Sequence, residues 1–242
     1  MSDTSVATRK RPLIAFRYFG GKNSKLKWLL PLLDVPCATY GEPFGGSAAV
    51  LLNREPVRNE FYNDLDRGAV NFFRVLRNEE QAERLVGQLQ LTLYAYEEWY
   101  RAKAYLEDNH PGEPVEWARC WYIAVCQGFG GLTTHTTWSA GNNKGRTHNW
   151  FNGVDKLLPV IQRLCSVQIF HHNALKVIEL WDSPDTLLYC DPPYPGDGEG
   201  DNQDRRDYHV NRFSPFGLAE HALLAERLHR FTGKVAVSGY CG

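Results

Sequence analysis

Short apolar runs alternate with helically spaced apolar residues at both ends of this 242-residue chain. LIAFRYFGGKNSKLKWLLPLL passes from a brief apolar segment through Gly20 and Gly21 into a predicted helix, with Asn23 or Ser24 as its cap. ATYGEPFGGSAAVLL reads as a strand, a glycine turn and a helix from about Ser47. EFYNDLD is a second strand that ends on acids. RGAVNFFRVLRNEEQAERLVGQL carries helical spacing at Val70, Phe73 and Leu76. Further along, VDKLLPVIQRLCSV is helix, and VQIFHHNA and TLLYCD are strands. SPFGLAEHALLAERLHRFTG is a helix from Ser214 to a stop at Gly233, and KVAVSGY is a last strand. Strands that alternate with helices predict a parallel α/β sheet.

The middle of the chain has another character. Residues 94–126 are rich in Tyr, Trp and Glu and read as two helices parted by the breaker cluster NHPGEP. GFGGLTTHTTWSAGNNKGRTHNWFNG follows, too polar for a core and too long for a simple connection, which points to a functional or mobile loop. The helical, loop-rich middle looks inserted into the α/β unit.

Composition narrows the classes. Hydrophobic content of 43% and charged content of 23% suit a globular protein with its own core. A formal net charge of −1 means that any polyanion site is a local patch. One such patch is available: Arg9 to Lys27 holds seven Lys or Arg and no acid, whereas Asp197 to Asp207 holds five acids and two arginines. Either run can equally be a solvated face. The six cysteines form no C-x-x-C and no zinc spacing, so they read as reduced thiols in a cytoplasmic protein, and no metal is expected. No apolar stretch approaches the ~20 residues needed to span a bilayer, so no membrane partner is expected. MSDTSVATRKRPL lacks the apolar segment of a signal peptide and reads as a disordered tail.

Two motifs carry chemistry. Gly45 and Gly46 lie between a strand and a helix, where glycine permits a tight turn and close approach of a ligand. Asp64 follows 19 residues after Gly45, at the end of the next strand. A glycine loop under a nucleoside and an acid on its ribose would have this pattern. Two glycines that only turn a corner, with an Asp that caps a helix, would have it too. Neither G-x-G-x-x-G nor a P-loop is present. The second motif is Asp191-Pro192-Pro193-Tyr194. Prolines lack N–H groups and fix φ, so a strand that ends on them presents rigid acceptors. Asp191 adds carboxylate oxygens and Tyr194 a flat ring. A planar heterocycle with an exocyclic amine suits that combination.

With these motifs the chain resembles the Dam-like (D12 class) DNA adenine N6-methyltransferases from Arg17 to Tyr240. The landmarks are RYFGGK, EPFGGSAAVLL, YNDLD with NFFRVLR, LLYCDPPY and VAVSGY. The resemblance implies a Rossmann-like S-adenosylmethionine-dependent methyltransferase sheet with an inserted, mainly helical target-recognition domain. The expected parts are residues 12–77 and 166–242 for the catalytic domain and 78–165 for the insertion. It implies S-adenosylmethionine as cofactor, double-stranded DNA as partner and base flipping of the target adenine. Cytosine N4 methylation, or an inactive DNA-binding remnant, are the alternatives. Restriction, phage self-protection and regulation fit the sequence equally.

The same resemblance distributes the roles. Asp191, Pro192, Pro193 and Tyr194 are the catalytic residues, with Asp191 and the Pro192 carbonyl on the amine and Tyr194 stacked on the base. Tyr18, Gly21, Lys22, Glu42, Phe44, Gly45, Gly46, Asp64 and Asp191 are expected at the cofactor. Arg17, Lys22, Lys144 and Arg146 are expected at DNA. Phe44-Gly45-Gly46-Ser47 is a compressed form of the family's F-x-G-x-G. The chain ends at VAVSGYCG, where family members continue into a terminal hairpin, so that hairpin is expected to be missing.

Overall fold

A computed structural model of the chain describes residues 11–18, 20–108, 112–131, 137–140, 145–194 and 216–239. Five parallel strands form its sheet: β1 (Thr39–Glu42), β2 (Asn59–Asn63), β3 (Val167–Phe170), β4 (Thr186–Cys190) and β5 (Lys234–Val237). Their order is β3-β2-β1-β4-β5. Every residue of β1 and β4 is buried, as expected of central strands covered on both faces. The chain winds outward from β1 to β3 on one side and then from β4 to β5 on the other. The strand order therefore reverses between β1 and β4, and a crevice opens beyond their carboxyl ends. This is the expected mixed α/β architecture with a Rossmann-like parallel sheet.

Helices before and after β1 set the floor of that crevice. A 3-10 turn (Lys22–Lys25) leads into α1 (Leu26–Leu32). Neither Asn23 nor Ser24 caps it: Gly21 and Lys25 stand at the two N-cap positions, and no side chain supplies a cap bond. The 3-10 turn places both expected caps inside the coil. After β1, α2 (Ala49–Asn53) begins two residues later than Ser47, because Gly46 and Ala48 adopt positive φ of 48° and 53°.

The long helical pattern after β2 is two helices, α3 (Arg67–Leu76) and α4 (Glu79–Leu91). Asp66 caps the first through Gly68 N at 2.8 Å and Ala69 N at 3.2 Å, and Asn78 caps the second through Gln81 N at 3.0 Å. The two predicted aromatic-rich helices are α5 (Tyr96–Glu107) and α6 (Pro114–Gln127), with Pro114 in the first turn of the second. Only part of the polar stretch after Gly128 is loop. α7 (Arg146–Asp155) starts within it and buries Trp150, whose indole donates to Thr92 O at 2.9 Å. α8 (Leu157–Leu164), α9 (Ala174–Leu180) and α10 (Leu218–Arg230) complete the fold. Gly217, not Ser214, precedes α10; Ser214 lies outside the described residues. His171 and His172 follow β3 instead of lying in it.

One apolar cluster joins the helical middle to the sheet. Phe16 meets Trp121 edge-on at 4.8 Å, and Phe72 of α3 stacks on Tyr122 of α6 at 5.2 Å. α8 is tied to the sheet by charge. Arg163 donates to both oxygens of the buried Glu60 in β2, at 2.6 and 2.7 Å, and to Leu51 O at 2.8 Å. Residues 1–10, 195–215 and 240–242 lie outside the described residues. So do the expected disordered tail, the acidic run from Asp197 to Asp207 and the end of the chain at which the hairpin is expected to be missing.

Candidate active site

Two strand ends meet at the crevice, and each carries one of the motifs. The β1 end leads into the glycine turn. Gly45 N–H donates to Asn63 O at 2.8 Å, and Ala48 N–H donates to Gly45 O at 2.7 Å, which folds the turn back toward β2. Gly45 has no room for a side chain: a Cβ there would lie 2.2 Å from the ring of Tyr62. Tyr62 is fully buried, and its hydroxyl donates to Gly46 O at 2.8 Å. Gly46 N–H donates in turn to Asp64 Oδ2 at 2.7 Å, while Asp66 N–H donates to Asp64 Oδ1 at 2.7 Å. Asp64 is thus part of the glycine turn, and the helix cap is Asp66. Burial, then the charge of Asp66, push the Asp64 carboxyl up to about 6, against the pull of its backbone donors.

Tyr18 and Gly21 close the other wall. The Tyr18 hydroxyl donates to Asp66 Oδ2 at 3.1 Å, and its ring stands 3.4 Å from the position a Cβ would take on Gly46. Gly21 N–H donates to Tyr18 O at 3.0 Å, and a Cβ on Gly21 would meet that oxygen at 2.8 Å. Tyr18, Gly21, Gly46 and Asp64 therefore share one corner. Glu42 sits deeper, 2% exposed, where its Oε1 accepts from Leu51 N at 2.6 Å and Tyr40 OH at 2.9 Å. Burial pushes its carboxyl up to about 8; these two donors oppose the shift and Asp191 adds to it. Phe44 turns to another apolar cluster and meets Phe216 edge-on at 5.3 Å.

The β4 end carries Asp191 and Tyr194. Lys22 reaches Asp191 Oδ2 from 169 residues away, and also donates to Gly20 O at 3.1 Å. Its ammonium lies 5.4 Å from the centroid of the Tyr194 ring. The Tyr194 hydroxyl donates to Asp191 Oδ1 at 2.9 Å, and the hydroxyl of Ser238 donates to the same oxygen. Pro192 is buried and Pro193 exposed, with the Pro193 carbonyl 2.9 Å from His221 Nε2. The arrangement holds a nitrogen donor on a carboxylate beside an aromatic ring. The Lys22 ammonium marks where an amine can be received.

Of the expected DNA residues, Lys22 lies in this centre, whereas Arg17 and Arg146 lie around Tyr94. Arg146 donates to the hydroxyl of Ser139, and the charges of Arg146 and Arg17 both act on Tyr94, whose phenol burial pushes up. Lys144 lies outside the described residues. Sequence reasoning passed over Ser238, His221, Tyr62 and Asp66. Ser238 stood in the quoted VAVSGY, as a polar residue directly after an apolar strand; what was missing was its neighbour in the sheet. Among the described residues, no cluster of His, Cys, Asp or Glu could hold a metal ion, and no helix is long and apolar enough to cross a membrane.

The model of the family described as D12 class N6 adenine-specific DNA methyltransferase matches residues 18–240. No curated protein matches the chain.

Proposed function

The chain belongs to the D12 class N6 adenine-specific DNA methyltransferases, and on that premise we propose that it methylates a flipped adenine at the β4 tip. The observation that carries this reading is the Asp191 carboxylate, which already accepts from a primary amine beside the ring of Tyr194.

S-adenosylmethionine fits the other corner by donor chemistry. The Asp64 carboxylate has four lone pairs and backbone donors at Gly46, Asp66 and Leu65, which leaves acceptor capacity for a ribose hydroxyl. Gly21 and Gly46 leave backbone rather than side chain along the same wall, beside the ring of Tyr18. Bound there, the cofactor supplies an electrophilic methyl on a sulfonium.

The chain's residues then align the nucleophile. Asp191 and the Pro192 carbonyl accept the two N–H bonds of N6, which aims the nitrogen lone pair away from both acceptors. Tyr194 leaves the carboxylate and stacks on the ring, and Lys22 yields Oδ2. The lone pair is thereby aimed at the methyl group that the sulfonium would supply, with a neutral thioether as the leaving group. N6 then loses one proton along its hydrogen bond to Asp191. Alignment and charge placement account for most of the acceleration, without a metal.

Labelled S-adenosylmethionine and genomic DNA test the reading, with nucleosides resolved after digestion. N6-methyladenine should appear, and Asp191→Ala should lower its rate by about two to three orders of magnitude. N4-methylcytosine as the product would move the target to cytosine. DNA binding without cofactor binding by calorimetry would make the chain an inactive remnant.

A further inference from the structure

Ser238 is the first residue after β5, and its backbone continues the β4–β5 ladder: Ser238 N–H donates to Cys190 O at 2.9 Å. That bond fixes the residue opposite the last position of β4, one residue before Asp191. The side chain has no latitude in where it can act. Its hydroxyl donates to Asp191 Oδ1, and the hydroxyl of Tyr189, 4% exposed in β4, lies 3.4 Å behind it as donor to Ser238 Oγ. A serine hydroxyl has one hydrogen and two lone pairs, so donating forward while accepting from behind uses its hydrogen and one lone pair. The tyrosine phenol is held protonated: burial, then the charge of Asp191, push it well up.

Of the three side-chain donors on Asp191 among the described residues, only Ser238 is anchored by the sheet. Lys22 and Tyr194 reach it on long side chains from the 3-10 turn and the β4 tip, and both must leave when a base enters. We propose that Ser238, backed by Tyr189, is a positioning residue that holds the Asp191 carboxylate in one rotation, with its remaining acceptor sites toward the target amine. The inference rests on the amine-site reading of Asp191. It adds that this acceptor is held by the neighbouring strand end and not only by the prolines beside it. Donors arranged in series polarise one another, which strengthens the hold on the charged oxygen.

The test uses the full chain and Ser238→Ala, Ser238→Thr and Tyr189→Phe. A duplex carrying the methylated site is compared with the same duplex carrying purine, which lacks the 6-amino group, in place of the target adenine. Wild type should bind the adenine duplex more tightly than the purine duplex. Ser238→Ala should erase that preference and lower kcat by about 10- to 100-fold, with S-adenosylmethionine affinity and Tm near wild type. Ser238→Thr should restore both the preference and most of the rate, and Tyr189→Phe should lower both less than Ser238→Ala does. An adenine preference retained in Ser238→Ala overturns the role of Ser238 and leaves the amine site standing. So does loss of cofactor affinity and Tm in step with rate, unrescued by threonine. Absence of any preference in wild type overturns the amine site itself, and this inference with it.

Discussion

Single residues here carry charge states that the fold, not the sequence, decides. Glu42 is an ordinary acid in the chain but is buried at the end of β1, with its carboxyl pushed from 4.5 to about 8. Between those values the native state holds a proton that the unfolded chain releases. Unfolding therefore releases a proton, and the stability that Glu42 contributes falls as pH rises through the window. Glutamine keeps Oε1 as acceptor for Leu51 N and Tyr40 OH but cannot ionise. Glu42→Gln should gain in Tm over wild type as pH moves from about 4.5 to about 8. Thermal unfolding across that range checks it, and parallel curves would refute it. Gly45 makes a second residue-scale case. A methyl there drives into the ring of Tyr62, whose hydroxyl secures Gly46. Gly45→Ala should cost about 1–3 kcal/mol and weaken S-adenosylmethionine binding, measurable by unfolding and by calorimetry.

At the scale of elements, local pattern and long-range placement divide what was legible. The strand, glycine turn and helix around Gly45 could be read because apolar spacing and glycine position are local signals. The same holds for TLLYCDPPY, a buried strand with rigid residues at its end. Other features depend on partners far away in sequence. The helix start moved from Ser47 to Ala49 because Gly46 and Ala48 take positive φ to close the turn on β2. Periodicity says nothing of that. Lys22 meets Asp191 across 169 positions, and Arg163 meets Glu60 across 103. The second pair shows what such distant contacts are worth. Glu60 has no exposed side chain, so Arg163→Met leaves a carboxylate buried without its guanidinium. That substitution should destabilise by about 3–5 kcal/mol, whereas Glu60→Leu with Arg163→Met should recover much of it. Denaturant unfolding of the single and double variants decides it.

For the whole molecule, the near-neutral total charge hides a local asymmetry. Arg17 adjoins Tyr18 in the chain, and the charges of Arg17 and Arg146 both act on Tyr94, so two fixed cations share one neighbourhood. If both meet phosphate, replacing them together with glutamine lowers the log–log salt slope of DNA binding by up to about two. Anisotropy titrations over a range of salt give that slope, and an unchanged value removes both arginines from the backbone contact. The crowding of Asp191 by Lys22, Tyr194 and Ser238 has a further consequence for turnover. Under the proposed reaction adenine arrives with two hydrogens on N6, one for the Asp191 carboxylate and one for the Pro192 carbonyl, in place of the contacts that Lys22 and Tyr194 surrender. It departs with one. Lys22 and Tyr194 would then reclaim the oxygens, which under the same proposal favours release of the product.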